Sequence, residues 1–182
     1  MKIIGICGSH RDGNSDWMVK KVLEGSKNKG AETEIIFLRN LNIKFCDGCD
    51  SCFKTGRGCH IKDDMQELYK KLLKADAIIL GTPNYFKNVS AIMKNFMDRT
   101  NAIASPPRLK NKKAIGLCVG GQKLSNTAYC ERILKEFFKD HKMKIVGMIK
   151  TRADKPQEIC SNKPIEKSLI KLGRKIVNRL EM

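Results

Sequence analysis

The stretch KIIGICGSHRDGNS, residues 2–15, combines an apolar run, a loop with two glycines and the start of a helical pattern. Its first six residues form an apolar run that is typical of a buried strand, and the run ends at Gly8 and Ser9. From residue 14 to about residue 29, apolar residues recur at helical spacing. A strand, a glycine-containing loop and a helix in this order predict one repeating unit of a parallel α/β sheet.

The alternation of strand and helix patterns continues along the rest of the chain. Further strands are predicted at residues 33–38, 76–82, 113–119 and 144–149. Further helices are predicted from Asp63-Asp64 onward and at residues 90–99, 126–141 and 164–180, while residues 39–62 show no clear periodicity. Five strands alternating with helices predict a parallel sheet with right-handed crossovers. In such sheets ligands bind beyond the carboxyl ends of the strands, which here are followed by residues 8–15, 83–89 and 120–125.

The first of these loops has the composition of a phosphate-binding loop. Gly8 and Gly13 allow tight turns, and the following helix would contribute free amides and the positive end of its dipole. Polar side chains that would face an anion are Ser9, Arg11, Asn14 and Ser15. The loop lacks G-x-x-x-x-G-K-[ST] and G-x-G-x-x-G, which argues against a nucleotide triphosphatase and a dinucleotide site. The alternative is a polar connection without a ligand.

The second and third loops would receive a flat heterocycle. Pro83 and Asn84 indicate a fixed turn, after which Tyr85 and Phe86 place two rings at a strand end. Asn88 adds a side chain that could hydrogen-bond ring heteroatoms. The third loop, VGGQKLS at residues 119–125, has Gly120 and Gly121 for close backbone approach to a ligand. The alternatives are aromatic rings packed in the core and a simple tight turn.

Four cysteines lie within the stretch FCDGCDSCFKTGRGC, residues 45–59. Cys46, Cys49, Cys52 and Cys59 are separated by two, two and six residues. This compact spacing favours an iron–sulfur cluster over zinc, since zinc sites usually pair two C-x2-C units across a longer insert. Zinc and thiols without metal remain alternatives, and disulfides are the weaker reading because the chain is expected to be cytoplasmic.

Composition predicts one globular domain over residues 1–182, with 41% hydrophobic residues and a formal net charge of +17. No apolar run approaches the roughly 20 residues that a membrane helix needs, and no secretory leader is evident. The basic residues are spread along the chain without a nucleic-acid motif, so we expect neither nucleic acid nor a membrane as a partner. The charge suits an acidic protein partner or simple solvation. Cys7 and Cys118 lie in strand patterns and are predicted to be core residues.

Two segments resemble the NADPH-dependent FMN reductase family. GSHRDGNS, residues 8–15, resembles its G-S-P-R-x-x-G-N-[ST] loop, with His10 in place of proline. TPNYFKNVSAIMKNFMDR, residues 82–99, resembles its P-x-Y-x-x-x-x-[ST]-A-x-[LM]-K-x-[FL]-x-D-R segment. With the cysteine run added, the chain resembles the iron–sulfur flavoproteins of anaerobes over roughly residues 1–150.

This resemblance implies a flavodoxin-like fold, a doubly wound five-stranded parallel sheet of order 2-1-3-4-5 with a cysteine loop at residues 44–62 after strand 2. It implies a [4Fe-4S] cluster on Cys46, Cys49, Cys52 and Cys59, and an FMN site. The FMN-binding residues would be Ser9, Arg11, Gly13, Asn14, Ser15, Pro83, Asn84, Tyr85, Phe86, Asn88, Gly120 and Gly121.

The expected function is an oxidoreductase that takes electrons from a ferredoxin-like carrier through the cluster to FMN. The acceptor would be oxygen, peroxide, a quinone or a small organic molecule. Lys44, Lys54, Arg57 and Lys62 surround the cysteines and suit an acidic carrier. Alternatives are an NAD(P)H-dependent FMN, quinone or azo reductase with structural cysteines, and a non-enzymatic metal or redox module. No acid/base pair or triad is evident, so no catalytic side chain is predicted, and Asp98-Arg99 is read as an ion pair or helix terminus. The resemblance also implies a homodimer or homotetramer.

Overall fold

The computed structural model describes residues 1–178, in which the predicted strands and helices are present together with a short helix between residues 39 and 62 that the sequence did not predict. The strands are β1 (Lys2–Cys7), β2 (Glu32–Phe37), β3 (Ala77–Pro83), β4 (Lys113–Gly120) and β5 (Lys144–Arg152). The helices are α1 (Asn14–Lys27), α2 (Ser51–Thr55), α3 (Met65–Lys74), α4 (Ala91–Arg99), α5 (Leu124–Asp140) and α6 (Lys163–Val177). The last residues of the predicted closing helix, 179 and 180, lie outside the described residues.

The five strands form one parallel sheet in the order β2-β1-β3-β4-β5. β1 pairs with both β2 and β3, so the strand order reverses beside it. This is the order of flavodoxin-like sheets, in which the ligand binds at the switch point. The predicted fold class, flavodoxin-like and doubly wound, is confirmed.

Helices cover both faces of the sheet, which explains why the central strands are apolar throughout. Side chains of α3, α4 and α5 pack on one face with Ile4 and Ile6 of β1. Side chains of α1 and α6 pack on the other face with Ile3 and Cys7. Because each strand contributes alternately to the two layers, a strand covered on both sides loses the polar alternation of a half-exposed one. Cys7 and Cys118 are buried, as predicted.

The fifth strand extends three residues beyond its predicted end at residue 149. Val119 pairs with Thr151 and Gly120 with Arg152, which carries the end of β5 to the same edge as the end of β4. The prediction stopped early because Lys150 and Arg152 are polar, as edge-strand residues often are. None of the helices in the described part of the chain combines the length and the apolar character that crossing a membrane requires.

Candidate functional site

The three predicted loops meet at the carboxyl edge of the sheet around one cavity of about 250 Å³, the strand-end cavity. It is lined by Ser9, Arg11, Gly13, Asn14, Ser15, Pro83, Asn84, Tyr85, Val119, Gly120, Gly121 and residues 153–156. All of the predicted FMN residues except Phe86 and Asn88 are in this set. Distant segments of the sequence therefore converge where the strand order predicts a ligand.

The loop before α1 presents backbone amides to the strand-end cavity, while one of its hydroxyls is used within the loop. The Ser9 hydroxyl donates to the carbonyl oxygen of Arg11 over 2.7 Å, so it folds the loop on itself. The first intrahelical bond of α1 runs from the Trp17 amide to the Gly13 carbonyl over 3.0 Å. The helical amides before it are those that an α-helix leaves without intrahelical partners, and they begin at Asn14 beside the cavity. Such a helix start suits a phosphate.

Asn14 has a second role that the sequence did not show. Its side-chain nitrogen donates to the carbonyl of Lys155 over 2.8 Å, and its side-chain oxygen accepts from the amide of Ile159 over 3.3 Å. The side chain therefore fixes the segment after β5 against the start of α1. Its predicted phosphate contact stays a prediction.

The segment that Asn14 holds is the part of the cavity that the sequence missed. Ala153, Asp154, Lys155 and Pro156 complete the wall. They follow a strand of the same sheet, so the rule that located the other three loops also applied to them. The early predicted end of β5 concealed this.

A buried ion pair under the phosphate loop was also missed. Asp16 is fully buried in the first turn of α1 and pairs with Arg39 over 2.7 Å. Arg39 also donates to the carbonyl of Ser9 over 3.4 Å. Burial raises the pKa of Asp16 above its ordinary value, although Arg39 acts in the opposite direction. Arg39 thus offsets a negative charge that would otherwise oppose a bound phosphate.

Asn84 supplies an unused acceptor at the other end of the cavity. Its backbone amide donates to the carbonyl of Val119 over 2.7 Å, which fixes the turn after β3. Its side-chain oxygen is buried and has no hydrogen-bond partner among the described residues. A buried acceptor without a partner is costly, and a ligand N–H would satisfy it. The isoalloxazine ring of FMN carries such an N–H group, so the residue fits the predicted cofactor.

Phe86 and Asn88 lie outside the strand-end cavity, in a tight turn. The amide and carbonyl of Tyr85 exchange hydrogen bonds with those of Asn88 over 3.0 and 2.9 Å. Phe86 and Lys87 at the tip have φ values of 49° and 62°. The Phe86 side chain is fully exposed and Tyr85 is 44% exposed, so neither ring is a core residue.

Phe86 lines an adjoining space of about 560 Å³, the outer cavity. Its walls are Asn84, Tyr85, Phe86, Lys87, Gly121 and Gln122, three of which also line the strand-end cavity. Asn88 lines neither cavity, and its side-chain oxygen accepts from the amide of Val89 over 2.8 Å. The phosphate end and an open aromatic end therefore adjoin, which suits an elongated cofactor such as FMN.

Two adjacent glycines stand at the end of β4. A Cβ atom on Gly120 would lie 3.0 Å from Cβ of Asn84, which is a tight contact, whereas one on Gly121 would lie 2.6 Å from the outer end of the exposed Asp154 side chain, which can move aside. The contacts within the protein therefore restrict Gly120 more than Gly121. Close approach to a ligand remains an additional prediction for them.

The cysteine loop (residues 44–62) differs from the cavity in being open to solvent. Cys46 and Cys49 are exposed, and Cys52 and Cys59 are half-buried. Burial raises the pKa of Cys52, and the thiols of Cys59 and Cys46 are near enough to act in the same direction. Within residues 1–178, the one trio of metal-binding side chains with ligand atoms within 4.8 Å of one another is Asp47, Cys49 and His60.

The separation of the thiols bears on which metal centre they fit. Zn–S bonds of about 2.3 Å in a tetrahedron place sulfur atoms roughly 3.8 Å apart. No three cysteine sulfurs of the described chain approach that closely. A four-iron cluster binds each thiolate to a different iron and so requires wider spacing. Within residues 1–178 the thiols are therefore not gathered at zinc-ligand spacing, while four thiolates are the donor set that a four-iron cluster takes.

Arg99 and Asp63 fasten the base of the cysteine loop. The two side chains pair over 2.5 Å, and both are buried. Arg99 also donates to the carbonyl of Lys44 over 2.6 Å, while the amide of Lys44 donates to Asp63 over 2.9 Å. Arg99 ends α4, which agrees with the helix-terminus reading of Asp98-Arg99, but its ion-pair partner is Asp63, and Asp98 pairs with Lys94 instead. Although burial raises the pKa of Asp63, its hydrogen bonds from Arg99 and from backbone amides outweigh this effect and lower the pKa.

The surface of the cysteine loop is basic and aromatic. Phe45 is 79% exposed and Phe53 is 47% exposed. The predicted basic residues are exposed too, and none of them forms an ion pair within the described residues: Lys44, Lys54, Arg57 and Lys62. His60 is half-exposed and contacts Asp47 over 2.8 Å.

Comparison with known proteins identifies the family. Residues 1–153 match the family described as NADPH-dependent FMN reductase. An iron–sulfur flavoprotein of Methanocaldococcus jannaschii is 38% identical over 148 residues, covering 81% of this chain and 76% of that protein. An iron–sulfur flavoprotein of Methanosarcina thermophila is 35% identical over 149 residues, covering 81% and 78%.

Solved structures with low sequence identity to this chain share its fold. An NAD(P)H:quinone oxidoreductase from Methanothermobacter marburgensis superimposes with a TM-score of 0.76 at 17% identity, covering 100% of this chain and 98% of that one. The family and its relatives confirm the predicted FMN-dependent oxidoreductase and the two predicted kinds of cofactor, FMN and an iron–sulfur centre. The chain belongs to the NADPH-dependent FMN reductase family and, within it, to the iron–sulfur flavoproteins.

Proposed function

We propose that this protein takes electrons from an acidic, ferredoxin-like carrier and delivers them, through a cysteine-bound [4Fe-4S] cluster and FMN, to a small-molecule acceptor. The observation that carries the proposal is the presence, on one chain, of the strand-end cavity and a four-cysteine loop with cluster spacing. We infer that residues 1–182 act as a single domain, located in the cytoplasm, where thiols stay reduced.

Each cofactor would be held by its own set of residues. The start of α1 and Arg11 would bind the FMN phosphate, and Asn84 and Tyr85 would contact the isoalloxazine. Cys46, Cys49, Cys52 and Cys59 would ligate the cluster. FMN exchanges one or two electrons and a cluster carries one, so the pair adapts a one-electron donor to two-electron chemistry.

The surface of the cysteine loop supports an acidic protein as the donor. Four exposed cations that form no ion pair within residues 1–178 surround the cysteines, and Phe45 and Phe53 add apolar contact area. A positive patch speeds the encounter with a negative partner and makes the rate fall with ionic strength. We therefore expect donor oxidation to slow steeply as salt is added.

A second candidate function is direct reduction of FMN by NAD(P)H with structural cysteines. The family description favours it, and the outer cavity offers room beside Tyr85 and Phe86 for a nicotinamide or an acceptor. The two functions differ in whether the cysteines lie on the route of the electrons.

Anaerobic stopped-flow reduction of the bound flavin distinguishes these functions. With reduced ferredoxin as the donor, we expect rapid loss of flavin absorbance in the native protein and in Cys160→Ser, because Cys160 lies outside the cysteine loop. Cys49→Ser should lose this route. Rapid reduction by NADPH alone, equal in native protein and in Cys49→Ser, would instead establish the second function.

The predicted homodimer or homotetramer is also part of the proposal. The exposed rings of Tyr85, Phe86 and Tyr129 form apolar surface next to the outer cavity, and a second copy could cover them. Sedimentation of the native protein and of Phe86→Ser tests this, since loss of the ring should weaken assembly. A native protein that sediments as a monomer would refute it.

A further inference from the structure

The geometry points to Arg99 as the residue that positions Cys59 and raises the reduction potential of the cluster. This inference rests on the proposed function, because it requires a cluster on the cysteine loop. Arg99 ends α4 and is remote in sequence from the cysteines, and a D-R pair at the end of a helix has a common structural role as an ion pair. Its contacts in the fold extend beyond that role.

The guanidinium is held in one place. The Arg99 side chain has no exposed surface and the Asp63 side chain has 1%. Two nitrogens of Arg99 donate to the two carboxylate oxygens of Asp63, over 2.5 and 3.1 Å. Asp63 also accepts from the amides of Lys44 and Met65, over 2.9 and 3.0 Å. A two-point arginine–carboxylate pair with these extra bonds has little freedom to rotate.

From this fixed position Arg99 forms hydrogen bonds to both ends of the cysteine loop. It donates to the carbonyl of Lys44 over 2.6 Å, before the first cysteine, and to the carbonyl of Ile61 over 3.5 Å, after the last. One helical turn earlier on α4, Asn95 donates to the carbonyl of Ile43 over 2.8 Å. Residues four apart lie on the same helix face, so two successive turns of α4 hold the chain at the start of the loop.

The fourth cysteine receives a direct contact from the same group. A guanidinium nitrogen of Arg99 lies 3.6 Å from Sγ of Cys59 and donates to it. Cys59 is separated from Cys52 by six residues, which include Gly56 and Gly58 at φ values of 65° and 83°. The other three cysteines are spaced more tightly, so Cys59 is the one whose position depends most on an outside contact.

An N–H donor on a ligating thiolate affects a cluster in a defined direction. Reduction adds negative charge to the cluster, and hydrogen bonds to its sulfurs stabilise the reduced state more than the oxidised one. The formal charges of Arg99 and Asp63 cancel, so the effect would arise mainly from the N–H group aimed at Cys59. The donor therefore raises the reduction potential, and its loss would lower it.

Two variants should shift the reduction potential of the cluster in opposite directions, which a purely structural role of Arg99 in the loop would not do. Arg99→Lys keeps a cation opposite Asp63 but loses the planar guanidinium, whose N–H groups reach both Asp63 and Cys59. Asp63→Asn keeps the guanidinium and an acceptor oxygen but removes the opposing negative charge. Tyr69→Phe is the matched control, because the one hydrogen bond of the Tyr69 hydroxyl among the described residues is to the backbone carbonyl of Arg99.

The test is an anaerobic redox titration of the holoprotein, with the cluster followed by electron paramagnetic resonance and FMN by absorbance. At the native midpoint potential, Arg99→Lys should lower the ratio of reduced to oxidised cluster about tenfold, a shift of about 59 mV for a one-electron couple. Asp63→Asn should raise the ratio. Tyr69→Phe should match the native protein, and the FMN midpoint should not move in any variant.

The possible outcomes distinguish the proposed function from the inference about Arg99. Native protein without a cluster would refute the proposed function, and with it this inference. A native cluster whose midpoint is unchanged in Arg99→Lys would refute the inference and leave the proposed function intact. If Arg99→Lys retains FMN but binds no cluster, Asp63→Asn decides alone: a raised midpoint supports tuning, and an unchanged or lowered midpoint overturns it.

Discussion

The strand-end cavity and the cysteine loop lie on one chain but are built differently. The cavity is formed by the ends of a sheet covered on both faces, and Ser9 and Ser15 at its base are buried. The cysteine loop follows the edge strand β2, contains one five-residue helix and exposes two of its four cysteines. The cavity therefore exists as a consequence of the fold, whereas a metal centre on the loop would fix the final geometry of the loop.

Helix α4 connects the two regions. At its start the Ser90 hydroxyl donates to the carbonyl of Gly8 in the phosphate loop and accepts from the amide of Met93. At its end Arg99 holds the cysteine loop. The helix has nine residues, which corresponds to a length of roughly 13 Å. One short rigid element thus fixes the distance between the two proposed cofactor sites.

The largest expected effect is loss of one cofactor without the other. Cys49→Ser should remove iron and acid-labile sulfide while FMN stays bound, because the two sites share no lining residue. Metal and flavin analysis of the purified variant checks this, with Cys160→Ser as the control that should keep both. Loss of FMN together with iron would show that the cavity depends on the loop.

A change in the strand-end cavity should weaken FMN binding and leave the metal centre unaffected. Arg11→Ala should lower FMN affinity roughly tenfold to a hundredfold, since a hydrogen bond to a charged group contributes about 1.5–3 kcal/mol. Riboflavin, which lacks the phosphate, should bind native protein and variant equally in a fluorescence titration. Arg57→Ala in the cysteine loop is the matched control for charge. An equal loss of riboflavin and FMN affinity would argue against a phosphate contact at Arg11.

A change at the start of α4 should affect overall stability. Ser90→Ala removes both the helix cap and the bond to Gly8, and we expect a cost of about 1–2 kcal/mol. For a chain of this size that lowers the melting temperature by roughly 2–8 °C. Ser168→Ala, at an exposed helical serine, should change it much less. Equal melting temperatures for the two variants would remove Ser90 as a link between the regions.

The smallest expected effect is a pH dependence outside both regions. His141 is buried beside Thr100, and burial lowers its pKa below the ordinary value, with Asp140 opposing the shift. The unfolded chain takes up the proton near pH 6.5, so the contribution of neutral His141 is present above that pH and is lost as pH falls. His141→Gln should flatten the decline in melting temperature between pH 7.5 and 5.5. An unchanged slope would contradict this.

The sequence predicted what depends on local pattern and missed what depends on distant contacts. The alternation of five strand patterns with helix patterns was enough to predict a parallel sheet and the edge where ligands bind. The side-chain hydrogen bonds of Asn14 reach Lys155 and Ile159, more than 140 positions away, and the sequence around Asn14 does not predict them. The exposure of Phe86 and the contact between Arg99 and Cys59 likewise depend on tertiary placement.

The most direct test is a count of iron, acid-labile sulfide and FMN in protein prepared and kept without oxygen. A cysteine-bound four-iron cluster and a separate flavin on the same chain predict about four iron atoms, about four sulfides and about one FMN per chain. Material that contains FMN but neither iron nor sulfide would contradict the proposed route of the electrons.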